Sequence, residues 1–394
     1  MIGTGLYAFT SLIYLIIVTR INGVDEAGIF TFAFSFASML LMIGIYAGRT
    51  YQVTENDKEI TQSDFLIFKL FCCLAMIIIG VSFCIARNYD TTKFIVIVTL
   101  LLFKSLDAYA EAVYGVFQKQ DNLYQSGISL TAKSLLCVII FLFTDIITTN
   151  LIISCISVLL VDIFVFIFYD LRKLKSYKIK RSLFTSYSFK SLLFGGFWVF
   201  IFFFLTQYIN NAQKYVIDFI MSNSDQTIFG IIVMPATFMC LCSQFLFNPF
   251  INSFNTYAKS NQKNNLLRLI IKLTIWILLI GFASLIVCYF IGIPVLNFIY
   301  GISLDEYLPH VLIIVSGSIF YAVAILLSNV MITLRKNIIQ ALIWAFASIF
   351  TSFESYFLIT QIQLLGASIS YFITMLFVLL LYIISLAIIL IKKE

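Results

Sequence analysis

The stretch Asp170–Lys190 reads DLRKLKSYKIKRSLFTSYSFK. It holds seven basic residues, Arg172, Lys173, Lys175, Lys178, Lys180, Arg181 and Lys190, against one acid, Asp170. Long apolar runs flank it on both sides. A basic cluster this close to membrane spans stays on the cytoplasmic face. The stretch therefore cuts the chain into two near-equal halves and sets which way up it sits. Attraction to anionic lipid headgroups would account for the charge by itself.

The flanks decide the class. Of 394 residues, 61% are hydrophobic and 11% charged, where a soluble domain carries about 25% charged residues. No soluble fold could bury that much apolar surface. The net charge of +6 does not point to nucleic acid, because the basic residues lie between apolar runs. Eight cysteines show no metal-ligand spacing, and Cys72, Cys73, Cys137, Cys155, Cys240, Cys242 and Cys288 fall inside apolar runs as small hydrophobes. The one histidine, His310, cannot build a metal site alone, and no cofactor is implied. No basic region precedes the first apolar run, so no cleavable signal peptide is expected.

A bilayer-spanning helix needs about 20 apolar residues. That ruler predicts spans at Ile2–Thr19, Ala27–Gly48, Phe65–Ala86, Lys93–Gly115, Ile128–Thr148, Leu151–Tyr169, Ser191–Asn211, Ile228–Phe250, Leu267–Phe290, Pro309–Val330, Ile338–Leu358 and Leu364–Ile391. The expected fold is an all-α integral membrane protein, with about twelve transmembrane helices in two six-helix lobes around a central cavity. The lobes are 1–169 and 191–394, joined by a basic cytoplasmic linker over 170–190. With that linker inside, the inner segments hold 20 of the 25 lysines and arginines. The outer segments hold only Arg20, Arg87, Lys93 and Lys214, and Lys104 lies within a span. Both termini are then cytoplasmic. The outer loops are too short to form a domain, so the function must lie in the membrane part. A short repeat supports two parallel halves: Asp25–Phe30 opens the second span and Asp225–Gly230 the eighth, after Arg20 and Lys214 respectively.

Three stretches carry a family resemblance. YLIIVTRINGVDEAGIFTFAFSFA (Tyr14–Ala37) resembles the opening of bacterial polysaccharide flippases of the Wzx type, in the multidrug/oligosaccharidyl-lipid/polysaccharide exporter superfamily. GIYAGRTYQVTE (Gly44–Glu55) resembles that family's second-span exit, with Arg49 and Gln52 in place. YINNAQKYVID (Tyr208–Asp218) resembles its seventh-span exit, with Lys214, Tyr215 and Asp218 as the basic, aromatic and acidic positions. The resemblance implies a two-lobed transporter in the bacterial plasma membrane. It would move undecaprenyl-pyrophosphate-linked oligosaccharide from the inner to the outer leaflet, for O-antigen or capsule. Its implied partners are that lipid-linked glycan, membrane lipid and a polysaccharide polymerase. The chain starts inside the first span, where the family has further residues, which implies a truncated chain or a misassigned start.

Ionisable groups inside a membrane are costly and usually face a bundle interior or a water-filled cavity. Lys104, Asp107, Glu111 and Tyr114 follow one another at spacings of three, four and three, so they share one face of the fourth span. Lys104 would face an anionic pyrophosphate, with an acid beside it taking up a coupling ion. The bland alternative is a salt-bridged packing face. Asp162 lies within the sixth span and Glu354 near the outer end of the eleventh, where snorkelling is an alternative. Arg20 and Lys214 hold equivalent outer ends of the two halves and could line a substrate path or simply sit at the interface. Arg49 could receive a phosphate in a bidentate fork or act as an interfacial anchor. Asn210, Asn211 and Gln213 could bond sugar hydroxyls or cap a helix end. The expected substrate path is thus Arg20, Arg49, Lys104, Asn210, Asn211 and Lys214. The expected coupling acids are Asp107, Glu111, Asp162 and Asp218, with Asp107 and Glu111 ahead because they share a face with Lys104. Gly195, Gly196 and Pro235 mark points of close packing or bending.

Three rival readings fit the same composition. A multidrug antiporter would need ion-binding acids and an apolar cavity. An exporter of lipid II or a teichoic-acid precursor would differ only in cargo. A membrane polysaccharide polymerase would need catalytic groups on a sizeable outer loop, which this chain lacks. No G-x-x-x-x-G-K-[ST] run occurs, so ATP is not the direct driver.

Overall fold

A computed structural model describes residues 2–55, 57, 59–177, 179, 184–260 and 262–391. Lys58, Lys178, Lys180, Arg181, Lys392 and Lys393, counted above as inner charges, lie outside the described residues.

The long apolar runs become helices because, in hydrocarbon, backbone groups must bond within their own segment. Among the described residues the spans run Ile2–Ile21, Val24–Ile45, Gln62–Ala86, Thr91–Lys119, Leu123–Thr148, Leu151–Lys175, Ser186–Ile220, Asn223–Lys259, Lys263–Tyr300 and Asp305–Thr333. The last helical run, Asn337–Ile391, is two helices broken at Ile362 and Gln363, which brings the spans to twelve. Among the described residues, nine helical stretches are long and apolar enough to cross a membrane by length and composition alone. The fourth span is not one of them, because it carries Lys104, Asp107 and Glu111 in its middle.

The ends follow local chemistry. Thr61 with Asp64, and Ser222 with Asp225, form reciprocal capping boxes at the starts of the third and eighth spans. Asn150 accepts from the backbone N–H groups of Ile152 and Ile153 and so starts the sixth span after a tight break at Thr149. The acids of the sequence repeat, Asp25 and Asp225, both fall in the first turn of the second span of their half, where they favour the positive helix end.

Two compact units form, Met1–Gln207 and Tyr208–Glu394. In the first, the second span packs on the third and fourth, the first on the fifth, and the fifth on the sixth. The start of the seventh span belongs to this unit. Leu192 is buried with Tyr46, Phe65 and Phe68, and a methyl group on Gly195 or Gly196 would meet Tyr51 or Ala47. These two glycines are close-packing points. In the second unit, the tenth span lies against the eighth, ninth, eleventh and twelfth. Pro235 coincides with a one-residue interruption at Val233 in the eighth span.

Among the described residues, two π-helical turns interrupt the α ladder. Cys288–Gly292 precedes Pro294, which lacks an N–H and crowds the carbonyl four residues back. Phe166–Leu171 has no proline. It carries Asp170, which belongs to the site below.

Candidate functional site

Among the described residues, three groups of charges stand out in the first unit, with buried Asp64, Lys93 and Asp145 lying outside them. In the first, the Lys104 ammonium lies 3.3 Å from the Asp107 carboxylate and donates to the Tyr7 hydroxyl oxygen at 2.6 Å. Tyr7 in turn donates to Asp107. The rings of Tyr7, Phe34 and Phe103 close around the ammonium, with centroids 4.7–4.8 Å away. Lys104 is only 3% exposed, so in this state it is shut off rather than open to a chamber.

The second group centres on Lys133 of the fifth span. Its ammonium lies 2.7 Å from Asp162 and 3.6 Å from Asp170. Both carboxylates are fully buried. Tyr114 donates to Asp170 at 3.4 Å and shares a hydrogen bond with Ser129 at 2.8 Å. On a regular α-helix, residues eight apart lie about 12 Å apart along the axis. The π-helical turn Phe166–Leu171 begins after Asp162 and contains Asp170, and both acids reach one nitrogen. Asp162 Oδ2 finds no hydrogen-bond donor among the described residues. A small cavity joins the two groups, lined by Tyr7 and Asp107 from one and Lys133 from the other.

In the third group, Arg49 on the short helix Gly48–Thr54 lies 3.5 Å from Glu111, and both side chains remain partly exposed. Beside them, Lys69 donates to the Tyr46 carbonyl at 2.7 Å, and buried Gln52 donates to Gln62 and to the Ala112 carbonyl. On the same short helix, burial and the Glu55 carboxylate push the Tyr51 phenol up. It therefore stays a neutral donor to the Ser191 carbonyl at 3.5 Å.

The predicted face of the fourth span is real but divided. Lys104 and Asp107 meet, whereas Glu111 turns to Arg49 and Tyr114 to Ser129 and Asp170. Asp162 does not join Lys104. It pairs with a lysine that sequence reasoning counted as a loop charge. Lys69 and Lys93 were counted as loop charges too, and both are buried, Lys93 over the rings of Phe32 and Tyr89. Asp170, read as the acid of the basic stretch, is a core residue. Removing the three lysines leaves the charge bias at 18 inside against 3 outside. Tyr7 was missed, since one tyrosine in an apolar run carries no signal. Lys133 could have been found: it lies in the span before the Thr149–Asn150 break, and Asp162 lies in the span after it, at a comparable distance.

The second unit uses amides and hydroxyls at its predicted positions. Asn210 donates to the Tyr321 hydroxyl at 2.6 Å. Gln213 donates to Ser370 at 3.1 Å, and Ser370 donates to Glu354 at 2.7 Å. Glu354 is thus tied inward rather than snorkelling. The trio of Asn210, Asn211 and Gln213 separates, its first and last members serving different spans. Lys214, Asn211 and Asp218 are half-buried, and Arg20 is exposed at the end of the first span. Among the described residues no group of three or more His, Cys, Asp or Glu could hold a metal ion.

No family model matches the chain. It is 22% identical over 370 residues to the Staphylococcus aureus capsular polysaccharide biosynthesis protein CapF, covering 93% of this chain and 92% of that one. Among solved structures, the lipid II flippase MurJ in an inward closed conformation superposes with a TM-score of 0.74 at 15% identity, over 98% of this chain and 87% of that one. An inward-facing multidrug resistance transporter of the MATE family and MOP superfamily superposes with a TM-score of 0.73 at 11% identity, over 99% and 95%. The Vibrio cholerae MATE transporter VcmN in its bent form gives 0.63 at 12%, over 99% and 94%. The fold is that of the MATE and MurJ transporters: twelve helices in two lobes.

Proposed function

We propose that this chain is a Wzx-type flippase of polysaccharide biosynthesis, carrying undecaprenyl-pyrophosphate-linked oligosaccharide to the outer leaflet by alternating access. The ionic core of the first unit, set in this transporter fold, carries the reading, and the similarity to a capsule biosynthesis protein supports the cargo class. A pyrophosphate must cross about 30 Å of hydrocarbon, and fixed positive charge along the route lowers that cost. Arg49 is the accessible cation, held by one partly exposed acid, and its planar fork suits a phosphate. Lys104 would follow once Tyr7 moves away. Arg20, Lys214, Asn210 and Asn211 would extend the path at the outer ends.

Within the three groups, the charge count favours Asp162, with Asp170, as the coupling site. Asp107 has Lys104 and Glu111 has Arg49, whereas one lysine serves both Asp162 and Asp170. A surplus buried negative charge is expensive, so a proton or Na⁺ would complete that site. A membrane-embedded carboxylate is readily neutralised, because desolvation disfavours its charged form. Asp107, Glu111 and Asp218 rank behind it.

Reconstitution with a fluorescent undecaprenyl-pyrophosphate-linked oligosaccharide tests both claims. Wild-type protein should flip the lipid faster under an imposed proton or Na⁺ gradient, and Asp162→Asn should flip it without that acceleration. Failure of the wild type to flip the lipid overturns the cargo. Full gradient dependence in Asp162→Asn, with loss in the Asp107→Asn/Glu111→Gln double variant, moves the coupling to the fourth span.

A further inference from the structure

At the ends of the seventh and eleventh spans the second unit opens a polar cavity of about 430 Å³, within the range of small-molecule sites, roughly 300–1,000 Å³. The charge bias assigns this end to the outer face. Ser222 and Asp225, the capping pair of the eighth span, form one wall. Thr360 and Gln363 form the other, at the break between the eleventh and twelfth spans.

Gln363 is the unusual residue. Its backbone sits at φ 51° and ψ −130°, a conformation that non-glycine residues seldom adopt and that costs free energy. The neighbouring turn is tight enough that a methyl group on Gly366 would collide with the Leu358 carbonyl. A glycine at 363 would relieve the strain, yet an amide stands there, exposed beside the cavity. Thr360 spends its proton on the Tyr356 and Phe357 carbonyls, which leaves its oxygen free to accept. The Asp225 carboxylate accepts from the Ser222 hydroxyl at 2.6 Å and the Ser222 backbone N–H at 3.2 Å, both through Oδ2, and a carboxylate retains further lone pairs for another donor. The cavity thus presents a carboxylate, an amide and a hydroxyl. One turn away, the exposed rings of Phe219 and Tyr356 pair at 6.5 Å. Acceptors, an amide and an aromatic platform match a ligand of alternating hydroxyls and C–H faces.

We infer that this cavity is a saccharide subsite at the outer mouth, which holds the sugar portion of the cargo as it leaves the second unit. The inference rests on the glycan reading above. With Asp225 in its wall, the subsite takes neutral or amino sugars and rejects uronic acids.

The test is ligand-observed NMR on the full chain in nanodiscs, against water-soluble tri- and tetrasaccharides that lack lipid and pyrophosphate. Wild-type protein should transfer saturation to the neutral and amino-sugar members and not to the uronic-acid members. Thr360→Val and Gln363→Gly should each weaken binding roughly three- to tenfold, the loss of about one hydrogen bond. Gln363→Gly should keep or raise the melting temperature, since glycine adopts this backbone without strain. That separates a lost ligand contact from a damaged fold. Equal binding by the variants, or none by the wild type, overturns the subsite. Flipping of a lipid-linked sugar by a protein that binds no free saccharide here removes the subsite and leaves the transport reading intact. Binding here without flipping does the reverse.

Discussion

Replacing Lys133 with methionine should destabilise the first unit more than replacing its whole ion cluster. The lysine lies 2.7 Å from Asp162 and 3.6 Å from Asp170. At an effective dielectric of about 20, those distances give gross attractions of about 6 and about 5 kcal/mol. Desolvation of three buried charges offsets most of this. Removing one partner from a buried pair nonetheless costs about 3–5 kcal/mol, because it strands the other charge. Here two carboxylates are stranded against each other. In a unit of this size each kcal/mol moves the melting temperature by about 2–4 °C, so Lys133→Met should lose about 10 °C. Adding Asp162→Asn and Asp170→Asn removes the stranded charges and should bring most of that back. Melting can be followed by size-exclusion chromatography of detergent-solubilised protein heated in steps. A single variant within about 3 °C of wild type, or a triple variant less stable than the single, would refute the argument that uncompensated charge dominates this site.

Three further outcomes follow. Gly366→Ala should cost about 1–3 kcal/mol, the usual range for overpacking, because its methyl group meets the Leu358 carbonyl; a melting curve equal to wild type would show that the break relaxes freely. Arg49→Ala should cost under about 1 kcal/mol, since the Arg49–Glu111 pair is partly exposed, yet should slow flipping strongly, with Arg49→Lys restoring only part; unchanged transport would make Arg49 a mere anchor. A cysteine in place of Ser176, exposed in the basic stretch, should resist a membrane-impermeant thiol reagent in intact cells and label in inverted vesicles; labelling in intact cells would reverse the orientation.

The spans were legible because hydropathy and length are properties of a single segment. Even the break at Ile362–Gln363 falls where the predicted eleventh and twelfth spans part. The site was legible only over one turn. The spacing of Lys104 and Asp107 brings them together, but Glu111 and Tyr114 lie seven and ten residues past Lys104, about 10 and 15 Å along the axis. At those heights one helix face meets different neighbours, so each residue takes its own partner. Lys133 was misread for a related reason. One lysine near the start of an apolar run resembles a loop charge, and only its partners across the hairpin, Asp162 and Asp170, identify it as core. Tyr7 illustrates the limit, because its role depends on two residues about a hundred positions away.

The π-helical turn at Phe166–Leu171 makes length itself a specification. Each residue of an α-helix turns the next by about 100°, and a π turn accommodates about one residue more than an α turn. Asp170 faces Lys133 because the turn absorbs that extra residue. Wound as a regular α-helix, the same residues would place Asp170 about 100° away and re-aim Arg172 and Lys173 behind it, whereas deleting one residue within the turn would restore a regular α-helix with Asp170 on its present face. A hydropathy profile is blind to such a change. Among related chains, an insertion or deletion of one residue in this span therefore carries more meaning than several exchanges of one aliphatic side chain for another. The count of residues between Asp162 and Asp170 is the quantity to compare.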